Sequence, residues 1–226
     1  MENLTKLLAA RVAAGLHRIG QIEILRECGE HRYGLCLHDD LPRLALTDGP
    51  ALEMFDGPQH ARELSLWAAD GSYRFAKGQA NLRGGWLLRL ADAAELRQAL
   101  DGFYPAALGL WAACGRGQLR VVHLRDKLER QTGMYRFART VSDAGAQALV
   151  QSLCGPSNQC AKRILWQISA NTPLADSAAS RYPGIGPGLG PEEAMPLLCQ
   201  EACNHFVAEC RRVAKEEREA ESGGVR

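Results

Sequence analysis

Eight cysteines in 226 residues are the side chains with the most distinctive chemistry in this chain. Five of them, Cys154, Cys160, Cys199, Cys203 and Cys210, fall in the last third, and Cys28, Cys36 and Cys114 are scattered through the rest. A disulfide scaffold spends about 8–10% of its residues on cysteine, well above the density here. Clustered thiols then point to metal binding or redox chemistry. The plain alternative is that each is a small buried apolar side chain.

Two spacings carry the metal reading. Cys154 and Cys160 are separated by Gly155-Pro156-Ser157-Asn158-Gln159, a connection tight enough to bring two thiolates to one point. Cys199 and Cys203 are four apart, which on a helix places both on one face, about 6 Å apart along the axis. Two such pairs make four thiolates, the ligand count of a [4Fe–4S] or [2Fe–2S] centre. A helix opening at Pro196 puts Cys199 in its first turn, where free N–H groups and the positive dipole end favour a thiolate. On that continuous helix Cys210 lies about 16 Å from Cys199, too far for one compact cluster. The favoured quartet is therefore Cys154, Cys160, Cys199 and Cys203, with Cys114 held in reserve as a fifth candidate. Zinc is the rival, since structural zinc sites use C-x2–4-C knuckles and accept histidine. Here the pairs read C-x5-C and C-x3-C, and His205 falls on another helix face. Spacing by itself leaves cluster, zinc and ordinary thiols open, with the cluster foremost. Lys162, Arg163, Arg211 and Arg212 are placed to offset a cluster's negative charge, although a solvated face is their plainer role.

The elements that must position these thiols read as α+β: a mixed N-terminal domain over 1–110, then a mainly helical domain over 111–226. Leu4, Leu7, Leu8, Val12, Leu16 and Ile19 define one side of an opening helix. Gln21–Cys28 and His31–His38 alternate as strands around a Gly29-Glu30 turn. A short helix over Gln59–Trp67, strands at Tyr73–Phe75 and Trp86–Leu90, and a helix capped by Asp92 and stopped by Gly102 complete the first half. The second half opens with a strand at Leu119–Leu124. Helices follow at Arg125–Thr132, at Asp143–Cys154 behind a Ser142 cap, at Cys160–Ile168, and from Glu192 or Pro196 to Glu219. Proline and glycine crowd residues 169–191, which read as a long irregular loop.

Composition narrows the function classes. Twenty-seven basic against 26 acidic residues leave a net charge of +1, so no global field gathers nucleic acid or anionic lipid, and a nucleic-acid partner is not expected. No run approaches the ~18 apolar residues of a membrane span. Lys6, Arg11 and Arg18 interrupt the apolar positions of the N-terminus, which lacks a secretory signal's apolar core. The expectation is a soluble, cytoplasmic protein with no membrane partner.

Three blocks of sequence carry a resemblance. Gly117–Tyr135 (GQLRVVHLRDKLERQTGMY), Cys154–Trp166 (CGPSNQCAKRILW) and Pro196–Cys210 (PLLCQEACNHFVAEC) resemble the iron–sulfur domain appended to bacterial sirohydrochlorin cobaltochelatase-like proteins. Upstream, Tyr73–Trp86 and Leu96–Trp111 resemble the stabilising domain that precedes it there. The resemblance implies a [4Fe–4S] cofactor and, by position, the same ligands: Cys154, Cys160, Cys199 and Cys203. It also implies a link to tetrapyrrole (cobalamin) metallation. The chain has no room for the chelatase domain itself, and its first 60 residues show no βαβ repeat with paired catalytic histidines, so chelatase activity does not transfer. The expectation is a redox or accessory protein beside a separately encoded chelatase or electron-transfer partner. The alternative is a non-catalytic interaction module in which a cluster or zinc is only structural. No acid, base or nucleophilic arrangement can be assembled from spacing, so no enzymatic activity is assigned.

Other groups weigh toward plain roles. His31, His38, Asp39 and Asp40 could bind metal but read better as a solvated strand end. Cys28 and Cys36 could pair only under oxidation. Gly184-Ile185-Gly186-Pro187-Gly188 lacks the strand–helix frame of a phosphate loop. Arg74, Lys77, Arg83 and Arg89, interleaved with Tyr73, Phe75 and Trp86, could receive single-stranded nucleic acid or an anionic tetrapyrrole. Alternating wet and dry strand faces are the plainer account.

Overall fold

The computed structural model describes residues 3–28, 31–44, 51–72, 82–119, 122–155, 160, 162–169 and 194–223. The fold is α+β, and the described residues divide into two compact units, 3–118 with 194–197 and 119–169 with 198–223.

In the first unit, α1 (Leu4–Ala13) leads into β1 (Arg18–Ile19), β2 (Ile22–Cys28) and β3 (His31–Leu37). Then come α2 (Leu41–Leu44), β4 (Glu53–Asp56), α3 (His60–Leu64), β5 (Trp86–Leu90), α4 (Ala93–Phe103) and α5 (Ala107–Gly115). The alternating pattern of the β2/β3 pair produces the expected antiparallel hairpin, with Ile24 opposite Leu35. β5 extends it antiparallel beside β3, and β4 joins the edge parallel to β5. The opening helix ends at Ala13, earlier than its apolar spacing suggests, because Gly15 takes a φ of +115° that favours glycine. Leu16 and Ile19 still reach the core from the extended segment beyond it.

Asp92 caps α4 as expected, its carboxylate accepting from the N–H groups of Ala94 and Glu95. Leu96, Ala99, Leu100 and Phe103 form the buried stripe, and Phe103 stacks on Trp86 at 5.2 Å. Gly102 does not stop this helix. A Cβ there would meet the Ala61 side chain at 3.0 Å, so the glycine serves the close approach of α3. The expected strand at Tyr73–Phe75 and the turn at Gly29-Glu30 lie outside the described residues.

The second unit comprises β6 (Val122–His123), α6 (Leu124–Glu129), a 3-10 helix over Gly133–Thr140, α7 (Asp143–Leu153), β7 (Arg163–Ile164) and β8 (Trp166–Gln167). A last strand of the first unit, β9 (Ala194–Met195), lies parallel to β1. The second unit resumes with β10 (Leu198–Cys199) and α8 (Asn204–Gly223). Ser142 caps α7 through its hydroxyl, which accepts from the Gly145 N–H at 2.9 Å. At Gly145 a Cβ would meet Val213 at 2.9 Å, so α7 and α8 close on one another through a residue without a side chain. Leu124, Leu128, Leu149, Val150, Phe206 and Val207 form the core between these helices. Burying each such side chain is worth about 1.5–3 kcal/mol.

Two expected helices are corrected. Residues 163–167 form the strands β7 and β8, not part of a helix over Cys160–Ile168. Their backbone partners come from far away in sequence, β10 beside β7 and β6 beside β8, both parallel. Such pairing leaves no trace in local periodicity. The last helix starts at Asn204 rather than at Glu192 or Pro196. Met195 precedes Pro196, and a residue before proline is pushed out of helical geometry toward extended. Leu197 and Leu198 are buried in succession as the chain passes from β9 to β10.

Candidate metal centre

Cys154 is the first residue beyond α7, and Gly155 turns the chain with a φ of +115°. The Gly155 N–H donates to the Cys160 carbonyl and the Cys160 N–H to the Leu153 carbonyl, both at 2.8 Å. Cys154 and Cys160 thus face each other as a parallel bridge. The bridge is one of backbone, and Cys160 opens no helix.

The other pair is built differently from expectation. Cys199 ends β10 in register with Ile164, and its carbonyl accepts from the Leu165 N–H at 2.8 Å. It is therefore not in a helical first turn. That place belongs to Cys203, whose carbonyl accepts from the Val207 N–H and whose sulfur accepts from the Phe206 N–H at 3.5 Å. This is the geometry of an N-cap side chain, and it aims the positive end of α8 at the Cys203 sulfur.

Burial dominates the electrostatics of Cys199. Burial pushes the Cys199 thiol up to about 11, with the Glu201 backbone and Lys162 pulling it back and Cys160 and Cys203 adding to the rise. Cys154 and Cys199 both pack against the second unit's core. Cys203 is exposed and the other three are half-buried. Among the described residues, no three His, Cys, Asp or Glu side chains gather as the shell of one metal ion. The thiolates of a cubane bind separate irons and stand farther apart than such a shell. A donor set of sulfur alone, from two separate arms of chain, fits that chemistry.

The remaining cysteines are core residues. Cys210 is fully buried in α8, and burial pushes its thiol up to about 12. Its separation from Cys203 is two helical turns, about 10 Å at 1.5 Å per residue. Cys114 is buried in α5 with its thiol pushed up to about 11 for the same reason, and Cys36 is buried in β3. Among the described residues no cysteine is in a disulfide.

The other candidate groups take plain roles where they are described. His38 pairs with the buried Glu23 at 2.6 Å. Asp40 binds the Arg43 guanidinium at 2.7 Å and accepts from the Gly85 N–H. Arg83 pairs with Glu53 and Arg89 with Asp56, while Trp86 is buried. Tyr73, Arg74, Phe75, Lys77, the 184–188 glycines and the side chains of Cys28 and His31 lie outside the described residues. Two features escape sequence reasoning. One is the capping role of Cys203, which C-N-H-F before an apolar helix face could have signalled. The other is Trp166, whose indole nitrogen is buried without a hydrogen-bond partner among the described residues.

Comparison with known proteins fits this arrangement. Residues 116–212 match the model of a 4Fe-4S iron-sulfur cluster binding domain, and residues 6–115 that of the DR2241 stabilising domain. No curated protein matches. The fold is similar to the crystal structure of DR2241 from Deinococcus radiodurans, with a TM-score of 0.69 at 22% identity over 95% of this chain. That protein is described as multi-domain, with structural similarity to chelatases and two additional novel domains, and this chain spans 42% of its length. Among the described residues no helix is long and apolar enough to cross a membrane. Taken together, the two matches run from residue 6 to residue 212, so the chain is similar to a DR2241 stabilising domain followed by a 4Fe-4S iron-sulfur cluster binding domain.

Proposed function

We propose that Cys154, Cys160, Cys199 and Cys203 hold the [4Fe–4S] cluster, and that the chain is a redox or accessory protein working beside a separate tetrapyrrole (cobalamin) chelatase in the cytoplasm. The observation that carries the ligand assignment is the Cys154–Cys160 bridge, with Cys199 at the end of β10 and Cys203 at the start of α8, all within the residues that match a 4Fe-4S binding domain. The chelatase link rests on the fold shared with DR2241, of which this chain matches less than half.

The protein's own residues have definable tasks. The α8 N-terminus stabilises negative charge on Cys203, Lys162 does so near Cys199, and the core behind Cys154 and Cys199 keeps water from one side of the site. A bound cluster supplies one-electron chemistry at a potential set by charge, hydrogen bonding and exposure. Four protein thiolates leave no iron open, which favours electron transfer or structure over substrate activation. The test is a redox titration of anaerobically purified protein. A reversible one-electron couple in the physiological range supports the proposal.

A second reading is a non-catalytic module in which the metal only staples the chain. The two-residue strands β6, β7, β8 and β10 favour it, because so little regular backbone surrounds the cysteines. A redox-silent cluster whose loss unfolds the second unit would select this reading over the first.

A further inference from the structure

Trp166 is 1% exposed, and its indole N–H has no hydrogen-bond partner among the described residues. Buried donors almost always have an acceptor, and leaving one unpaired is costly. The surroundings narrow what that acceptor is. Trp166 packs edge-on against Phe206, ring centres 5.3 Å apart, and the Phe206 backbone N–H is the one that donates to the Cys203 sulfur. Ile164, two residues before Trp166 and likewise buried, is in register with Cys199, and the intervening Leu165 N–H donates to the Cys199 carbonyl. Residues two apart on extended chain share a side. The Trp166 ring is therefore one packing neighbour away from Cys203 through Phe206, and its strand runs on from the Ile164 that is in register with Cys199.

We infer that the Trp166 indole N–H donates a hydrogen bond to a sulfur of the cluster assembly, an inorganic sulfide or a cysteinyl thiolate, and raises its reduction potential. The inference rests on the ligand reading above. The physical reason is general: a donor to sulfur stabilises the more negative, reduced state, and hydrogen bonds to the sulfurs are among the factors that set cluster potentials.

The experiment compares the full-length cluster-loaded chain with Trp166→Phe, which keeps an aromatic ring and removes the N–H. Iron and sulfide contents should match, and the midpoint potential of the variant should move in the negative direction. In 15N-tryptophan-labelled protein, one of the indole N–H signals from the four tryptophans should carry a hyperfine shift, and that signal should vanish in Trp166→Phe. Should that variant not fold, Trp67→Phe, Trp86→Phe and Trp111→Phe identify the Trp166 signal by elimination. Full cluster loading with an unshifted Trp166 signal, or with an unchanged potential in the variant, overturns the inference and leaves the ligand reading standing. Absence of iron and sulfide from the wild-type chain overturns the ligand reading itself.

Discussion

Cysteine plays two different parts in the two units. In the first, Cys36 and Cys114 are buried within a regular strand and a regular helix, and each behaves as a small apolar core residue. In the second, Cys154, Cys160, Cys199 and Cys203 sit at a helix end, at a bridge, on a two-residue strand and at a helix cap, none of them fully buried. Cys210, inside α8, repeats the first pattern a few residues from the second. Under the proposed ligand assignment, backbone setting rather than residue type separates ligand from filler. A thiol within a regular element points where packing needs it, whereas thiols at element ends can converge on a common centre. The first unit is held by strands of up to seven residues and their apolar faces. The cysteine end of the second is held by strands of two. That end is where a bound cluster has the most to add, because a site assembled only in the folded chain contributes its binding energy to folding.

The largest expected break in this contrast comes from Cys203→Ser. It should remove most of the iron and lower the thermal transition of the second unit by about 10 °C or more, taking a few kcal/mol lost at about 4–8 °C each. The transition of the first unit should stay where it is. Calorimetry alongside iron analysis checks both parts, and equal shifts in the two units would erase the distinction.

A smaller effect is expected from pH at Cys114. Its thiol is pushed from an ordinary 9.0 up to about 11 by burial, so the native state keeps a proton that the unfolded chain releases. Below pH 9 both states are protonated and the residue adds no pH dependence. Between pH 9 and 11 only the unfolded state gives up its proton, so stability falls as pH rises, by about 2–3 kcal/mol in all. Cys114→Ala should lose that much less over the same window in urea unfolding. Parallel curves would show that the thiol is not held as buried.

Smaller still, Cys210→Ser should place a hydroxyl in the apolar core and cost about 1–3 kcal/mol, with iron content unchanged. Loss of iron in this variant would move Cys210 from filler to ligand and overturn the division drawn above.

Much of the first unit was legible because its signals are local. The β2/β3 alternation, the Asp92 cap and the stripe from Leu96 to Phe103 are each read within one element. Ser142 ahead of α7 was legible for the same reason. What was not legible depends on partners distant in sequence. β7 and β8 exist because β10 and β6 lie beside them, and the segment from Ala194 to Cys199 is extended because Pro196 and its neighbours suit strand pairing better than a helix. Of the cysteines singled out by spacing, Cys154 and Cys160 share a backbone bridge, but the helical geometry used to relate Cys199 to Cys203 is absent. Cys210 was set aside by its distance from Cys199 along a helix the two do not share. Its full burial within α8 is the sounder reason. The dipole assigned to Cys199 belongs to Cys203.

The most direct test of the four-thiolate centre is iron and acid-labile sulfide analysis of the anaerobically purified chain, with absorption and EPR spectra on the same sample. The account predicts brown protein with about four iron and four sulfide per chain. Colourless protein carrying stoichiometric zinc would contradict it.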